Sequence, residues 1–547
     1  MKNYLFKLFA LLFFSTSLIG QADTVLVPSV VDGEPFGAIN KFIIGDTTST
    51  GERVNPERYY KLEKNKIYFL NGEFHAHFDL RLIADDVEDG EKPPIVASTT
   101  GSDGTIQLIQ FNLFGDAYIK NIIFQMTPPS GNGESNASFF LSKLDGNYEF
   151  DNVRWEWGLW TAIAVVIPLN KIKVTNCYFR NPQHKTNIFN GRGITFYQEN
   201  PADTVIIQNN TFFNINSFSF VADNSSIPPG LLLFDHNTIV NQMKWPIHSY
   251  WITNAVVTNN IFFNSSAFGE NHQDTEGQDP ERLQYGLINI YPAPQDILDY
   301  HGVTEAERSY ICDRNAYYFT DDIKDYWAEY ELPDVPFMNS RTQGMFDDDA
   351  NYPNLYLDHL YYADPKFKED GEGTEQMIAW MKRKRDWQQN TYWGWDPDGN
   401  KFEVQWPFPE DFTYSNEELM TAADRGFPLG DLNWYPELKT RWLEGDTIVG
   451  NSFVDFQPKD LIINEVYPNP FNDYLRFDIS LKNSSKVSLS IIDLNGKIVD
   501  TVNKGKLSSG NHIISWKTQW DNLNEGIYLY QIKTDKNIIT GKIEHIK

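Results

Sequence analysis

The chain has 547 residues, 41% hydrophobic and 15% aromatic, which is too long for one ordinary core and too apolar for a disordered chain. A mean hydropathy of −0.45 excludes a multi-span membrane protein. The formal charge of −28 argues against a nucleic-acid partner, and two cysteines, Cys177 and Cys312, are too few for a disulfide framework, so stability must rest on packing.

Residues 1–22 carry Lys2 and Lys7, an apolar run from Leu8 to Ile19, and the small residues Gly20 and Ala22. That order predicts a secretory signal. The run is shorter than the roughly 20 residues a membrane anchor needs, so no transmembrane segment is expected in the mature chain. Loss of the two lysines takes the charge from −28 to −30.

From there to about residue 320 one pattern recurs: apolar, any, amide, any, any, large apolar. It reads "IKNIIF", "FDNVRW", "VTNCYF", "IQNNTF", "FDHNTI" and "VTNNIF", with a looser "CDRNAY". The amide column is Asn121, Asn152, Asn176, Asn209, His236, Asn259 and Arg314, spaced 31, 24, 33, 27, 23 and 55 residues apart. Repeats of this length mean stacked units. The runs are short, β-branched and aromatic, with no convincing helical periodicity between Asn121 and Asn259, so strand follows strand. A chain that winds one coil per repeat satisfies this as a parallel β-helix; an irregular β-sandwich is the alternative architecture. In the coil an amide at a bend can bond its equivalents one rung away, which makes Asn209 a structural step rather than a ligand contact. Asn209-Asn210-Thr211 also fits a glycosylation acceptor. Cys177 and Cys312 lie about four rungs of 4.8 Å apart and should be free and buried.

These rungs resemble the right-handed β-helix, or pectin-lyase-like, class of secreted proteins. "KIYFLNGEFHAHFDLRLIADD" and "PPIVAS" look like its opening rungs, with Ile67, Phe69, Phe78, Leu80, Leu82 and Ile95 expected to point inward. The resemblance implies the fold better than an activity.

Residues 321–460 hold eight of the 15 Trp and two predicted helices, one from Thr374 and one from Ser415, the latter with a capping box to Glu418. They are expected to pack on the side or C-terminal end of the coil. "KRKR" at 382–385 is a solvated helix face or a partner for "FDDDA" at 346–350. Asp396, Asp398 and Asn400 alternate as in a Ca2+ loop, though a plain turn explains them as well.

Residues 461–547 change pattern again. "YPNPFN" is followed by alternating strands, "DLNGK" and "GIYLY", which predict a small antiparallel sandwich. This series resembles the type A C-terminal sorting domain of the type IX secretion system. The resemblance implies a secreted or outer-membrane-surface protein of a Gram-negative, Bacteroidetes-type bacterium, with the type IX machinery as partner. Taken together, an all-β chain is expected: signal peptide 1–22, parallel β-helix 23–320, Trp-rich, partly helical flank 321–460 and sorting sandwich 461–547.

No nucleotide loop, zinc-protease motif or nucleophile elbow is present. Chemistry must come from the coil, and many β-helix proteins act on polysaccharides. A lyase needs a cation to neutralise a uronate and a base for the neighbouring proton. The basic corner insertions offer Arg192, Lys244 and His248 as catalytic candidates, with Arg192 or Lys244 neutralising charge and His248 or Lys244 as base. His184, Lys185 and His272 are candidates for substrate binding. A hydrolase would need paired carboxylates, for which Asp274, Glu276 and Asp279 are available. A noncatalytic adhesin, glycan binder or structural element is the competing expectation.

Overall fold

The computed structural model describes residues 23–101, 103–198, 200–222, 227–269, 285–369, 373–386, 399–446, 461–492, 498–517, 523, 526–534 and 538–546. The chain divides into a unit within residues 18–450 and a C-terminal unit from residue 451.

The larger unit is a parallel β-helix with three faces. First-face strands such as Leu80–Ala84, Ala117–Lys120, Gly146–Asp151, Leu169–Thr175, Ala202–Gln208, Leu232–Asp235 and Asn254–Thr258 pair in parallel with the next coil. The second face follows each after a tight corner, as in Tyr178–Arg180, Thr211–Ile215, Thr238–Gln242 and Ile261–Ser265. The third face is a seven-stranded parallel sheet from Phe74–Ala76 to Ile247–His248. The parallel pairing rules out the sandwich alternative for this unit.

Side chains stack in register inside. Leu82, Ile119, Phe150, Val174, Ile207, Phe234, Val257 and Cys312 form one fully buried column. On the second face the rings of Trp155, Phe179 and Phe212 stack at 4.5 and 4.6 Å. Each such ring buried stabilises the fold by roughly 1.5–3 kcal/mol. Leu80 and Leu82 point inward as expected, but Tyr68 and Val96, not Ile67, Phe69 or Ile95, fill the second-face interior. Phe78 is half-buried against the core. The alternation at residues 67–69 and 95–97 is one residue out of the expected phase, because Phe69 and Ile95 face an apolar covering segment rather than solvent.

The predicted amide column has a specific backbone cause. Asn121, Asn152, Asn176, Asn209, His236, Asn259 and Arg314 all have φ between 50° and 62°, the left-handed conformation that turns the first face into the second, and Asn adopts it most readily after Gly. The long amide ladder, however, lies one residue further on. Asn210 Nδ2 donates to Asn237 Oδ1 at 2.9 Å, Asn237 to Asn260 at 3.0 Å and Asn260 to Asn315 at 2.9 Å. Each acceptor oxygen also takes the backbone N–H of the rung before it. Asn209 is instead a corner residue whose Oδ1 accepts from the Leu432 N–H. A further ladder, Asn181, Asn214, Asn241 and Asn264, runs along the corner after the second face. Cys177 and Cys312 are free and buried, and burial pushes both thiols up.

Both coil ends are capped. Helix Ala38–Ile44 buries Ile39 and Ile43 at one end, and helices Asp321–Glu329 and Ser340–Phe346 add Trp327, Tyr326, Met345 and Phe346 to the same core at the other. Helix Thr374–Arg385 forms as predicted, with Met377, Trp380 and Met381 buried. The helix expected from Ser415 is replaced by two 3₁₀ turns, Leu419–Thr421 and Asp424–Gly426. Asn416, not Ser415, accepts from the Glu418 and Leu419 amides, and the Asp424 amide is drawn off to Asn259 of the coil. In the KRKR run Lys382 bonds Glu329, and Lys384 the Thr186 carbonyl.

Residues 401–442 cover the second face. Phe412, Tyr414, Leu419, Phe427, Leu429 and Trp442 pack on the outward Tyr178, Phe213, Val240, Ile261 and Phe263. Arg180 is enclosed between Glu156 of its neighbouring rung and Glu410 of the cover, at 3.2 and 2.6 Å. Asp396 and Asp398 of the expected Ca2+ loop lie outside the described residues.

The C-terminal unit holds a three-stranded antiparallel sheet, Leu461–Tyr467, Tyr474–Leu481 and Gly510–Lys517, and a four-stranded one, Ile498–Leu507, Ser485–Ile492, Gly526–Lys533 and Ile538–His545. Alternate residues Leu475, Phe477, Ile479, Leu481, Leu489, Ile491, Ile514 and Trp516 build their common core. Phe471 of the YPNPFN segment is fully buried against Trp516 and His545.

Candidate functional site

The second face is covered by residues 401–442, and on the third face the outward His75, Asn112, Phe140 and His248 are reachable while Ala164, Thr195 and Val221 are buried. Outward positions of the third face fall in register as His75, Asn112, Phe140, Ala164, Thr195, Val221 and His248. Beside this row the rings form a line. His77 lies flat on Phe114 at 4.4 Å. Phe140 meets Trp160 at 6.0 Å and Trp160 meets Tyr197 at 5.5 Å, both edge to face. Phe114 and Tyr197 are 37% and 46% exposed, and Phe140 and Trp160 half-buried. Backbone bonds fix two of these rings: the Trp160 N–H donates to the Asn136 carbonyl and the Tyr197 N–H to that of Val165.

At the C-terminal end of this line lies a second aromatic group, Phe189, Phe218, Trp245, Tyr250, Tyr285 and Tyr291, and here three of the predicted basic residues meet. The His248 ring is 4.4 Å from Phe218 and 5.1 Å from Tyr250. Arg192 donates to the Phe189 carbonyl at 2.5 Å with its guanidinium 6.0 Å from the Phe218 ring. The Lys244 ammonium sits 4.7 Å from Phe189 and 5.4 Å from Phe268, and Lys244 is only 2% exposed. Cation–π attraction offsets part of its lost hydration. Arg192 and His248 are half-buried and reachable, whereas Lys244 is enclosed.

His184 is held in the loop after the second face, where Nδ1 accepts from the Thr186 and Asn187 amides at 3.2 and 3.1 Å. Burial holds its pKa below the usual value, so the ring is neutral. Lys185 is half-buried in the same loop. His272, Asp274, Glu276 and Asp279 lie outside the described residues. Phe140, Trp160 and Tyr197 escaped the sequence reading; their one signal was a large ring where a strand's alternation points outward.

Asp313, Asp358 and His359 place one donor atom each within 4.8 Å of one another, the one such metal-type group among the described residues. Asp313 is fully buried and already pairs with Arg314 and with His359 Nδ1 at 2.8 Å, which makes a corner ion pair sufficient to explain it.

In the C-terminal unit, residues 465–545 match the family model of the secretion system C-terminal sorting domain. The chain carries a sorting domain at its C-terminus. This domain implies export by type IX secretion and indicates a secreted or cell-surface protein of a Bacteroidetes-type bacterium. No curated protein matches the chain. Among solved structures, the endo-beta-1,4-mannanase from Thermotoga petrophila is similar at 10% identity, over 46% of this chain and 40% of that one, with a TM-score of 0.11. This chain therefore spans less than half of that protein's length, and at that TM-score the likeness carries no argument. No helix among the described residues is long and apolar enough to cross a membrane.

Proposed function

We propose that the sorting domain's cargo is an extracellular polysaccharide-binding β-helix whose third face is the binding surface. The line of rings from Phe114 through Phe140, Trp160 and Tyr197 carries this reading. Rings with one apolar face and a polar rim suit sugar units, which are themselves apolar on one face and wet at the edge, and their spacing along successive rungs suits an extended chain.

The pair Arg192 and His248, both packed on Phe218, favours a catalytic version of the same reading. In this version Arg192 neutralises a uronate and His248 takes the neighbouring proton.

Affinity electrophoresis of the protein through neutral and acidic polysaccharides tests the binding. Trp160→Ala and Tyr197→Ala are expected to weaken retention with an unchanged melting temperature; retention untouched in both variants sinks the proposal. Unsaturated products that vanish in His248→Ala establish a lyase, new reducing ends a hydrolase, and retention without product a binder.

A further inference from the structure

On the first face, a shallow hollow is lined by Asp79, Arg81, Asp116, Tyr118, Asn147, Glu149 and Lys171. Its rim is a side-chain ladder at the corner between the third and first faces. Asp79 Oδ1 accepts from the Asp116 N–H at 2.8 Å, Asp116 Oδ1 from the Asn147 N–H at 2.9 Å, and Asn147 Oδ1 from Asn170 Nδ2 at 2.6 Å. Lys143 neutralises Asp116 and Asp79, Arg81 is bound to Glu57, and Lys173 holds Glu149 at 2.6 Å. The rim is thus rigid and its charges are paired.

Two groups in the hollow stand apart. Lys171 makes no ion pair or hydrogen bond with any described residue, although it is half-buried in a chain of net charge −28. Desolvation and the Lys173 charge depress its pKa, against the attraction of Glu149. The Tyr118 hydroxyl likewise has no hydrogen-bond partner among the described residues, while its ring is braced edge-on by Tyr59 at 6.4 Å.

We propose that this hollow is a second glycan site, distinct from the third face, which takes a sugar unit bearing an anionic group. The carboxylate or sulfate of that unit meets the Lys171 ammonium, and its hydroxyls meet the Tyr118 hydroxyl and the Asn147 amide. A bound anion gives Lys171 the charge-assisted hydrogen bond that no described residue makes to it. Four successive rungs about 4.8 Å apart give the hollow a span of roughly 14 Å, enough for a short stretch of chain.

The full chain is run through gels containing polygalacturonate, dextran sulfate or neutral dextran. Retardation is expected in an anionic gel and not in dextran, with the carboxylate and sulfate polymers telling the two sources apart. Lys171→Ala weakens it about five-fold, the loss of one charge-assisted contact, and Lys171→Glu weakens it further, both with an unchanged melting temperature. Trp160→Ala, which tests the third face, leaves the Lys171-dependent part in place, so either site can fail alone. Equal retardation of the parent and both Lys171 variants, or equal retardation in dextran, overturns the proposal.

Discussion

Asn210 Nδ2 donates to Asn237 Oδ1 across 2.9 Å, and the same oxygen takes the Asn210 backbone N–H at 3.1 Å. One side chain therefore satisfies two donors of the preceding rung, in a position with no access to water.

Asn237→Leu should strand both donors and the acceptor it serves on the far side. Unpaired buried polar groups cost about 1–3 kcal/mol each, so a loss on the order of 3 kcal/mol or more is expected in denaturant titrations. Asn209→Gly, one rung before and at the corner, keeps the left-handed backbone accessible and should cost distinctly less. Equal losses would show that corner and ladder are one device.

Asp431 tests the cover. It is buried, accepts from Thr211 and from the Asn433 amide, and desolvation pushes its carboxyl up to about 6 from an ordinary 3.8, against those bonds. A raised acid means the folded state holds its proton longer than the unfolded one. The Asp431 contribution to stability is then greatest below about pH 4, falls as pH rises to about 6, and is flat above. The fall is on the order of 3 kcal/mol, and Asp431→Asn should remove that slope from a melting-temperature series.

Arg180 lies between Glu156 and Glu410 with all three side chains enclosed. Arg180→Met leaves two buried carboxylates facing each other and is expected to cost about 3–5 kcal/mol. Adding Glu156→Gln and Glu410→Gln should recover much of that loss. If the triple variant is no more stable than Arg180→Met, the charge explanation fails.

Neither thiol should react in the native state, since burial keeps both protonated and shielded. A maleimide assay should label Cys177 and Cys312 only after unfolding; prompt labelling of either would contradict the packing described.

The coil was legible because its corner imposes one backbone conformation at every turn, and Asn is the residue that conformation selects. His236 and Arg314 break the column yet share its φ, which is why spacing found them where identity did not. Asn210 was less visible as the ladder residue because Val153 and Cys177 occupy that position in earlier rungs. Trp160 lies just before its strand, Tyr197 just after another and Phe140 inside a third; no repeat links them, and only the winding brings the rings together. The Ser415 helix failed for the opposite reason, since its local signals were outbid by the coil's own polar corner at Asn259.

Lys92 donates to the Val404 carbonyl across 312 residues of chain, and Gln125 does the same to Lys401. Solenoids ordinarily add rungs one at a time, each resting on its neighbour. Here the earliest rungs are finished by a segment that emerges near the end of the chain, so a truncated product exposes an unfinished face. Completion of the N-terminal half is thereby tied to the arrival of the C-terminal part, where the export address is also written.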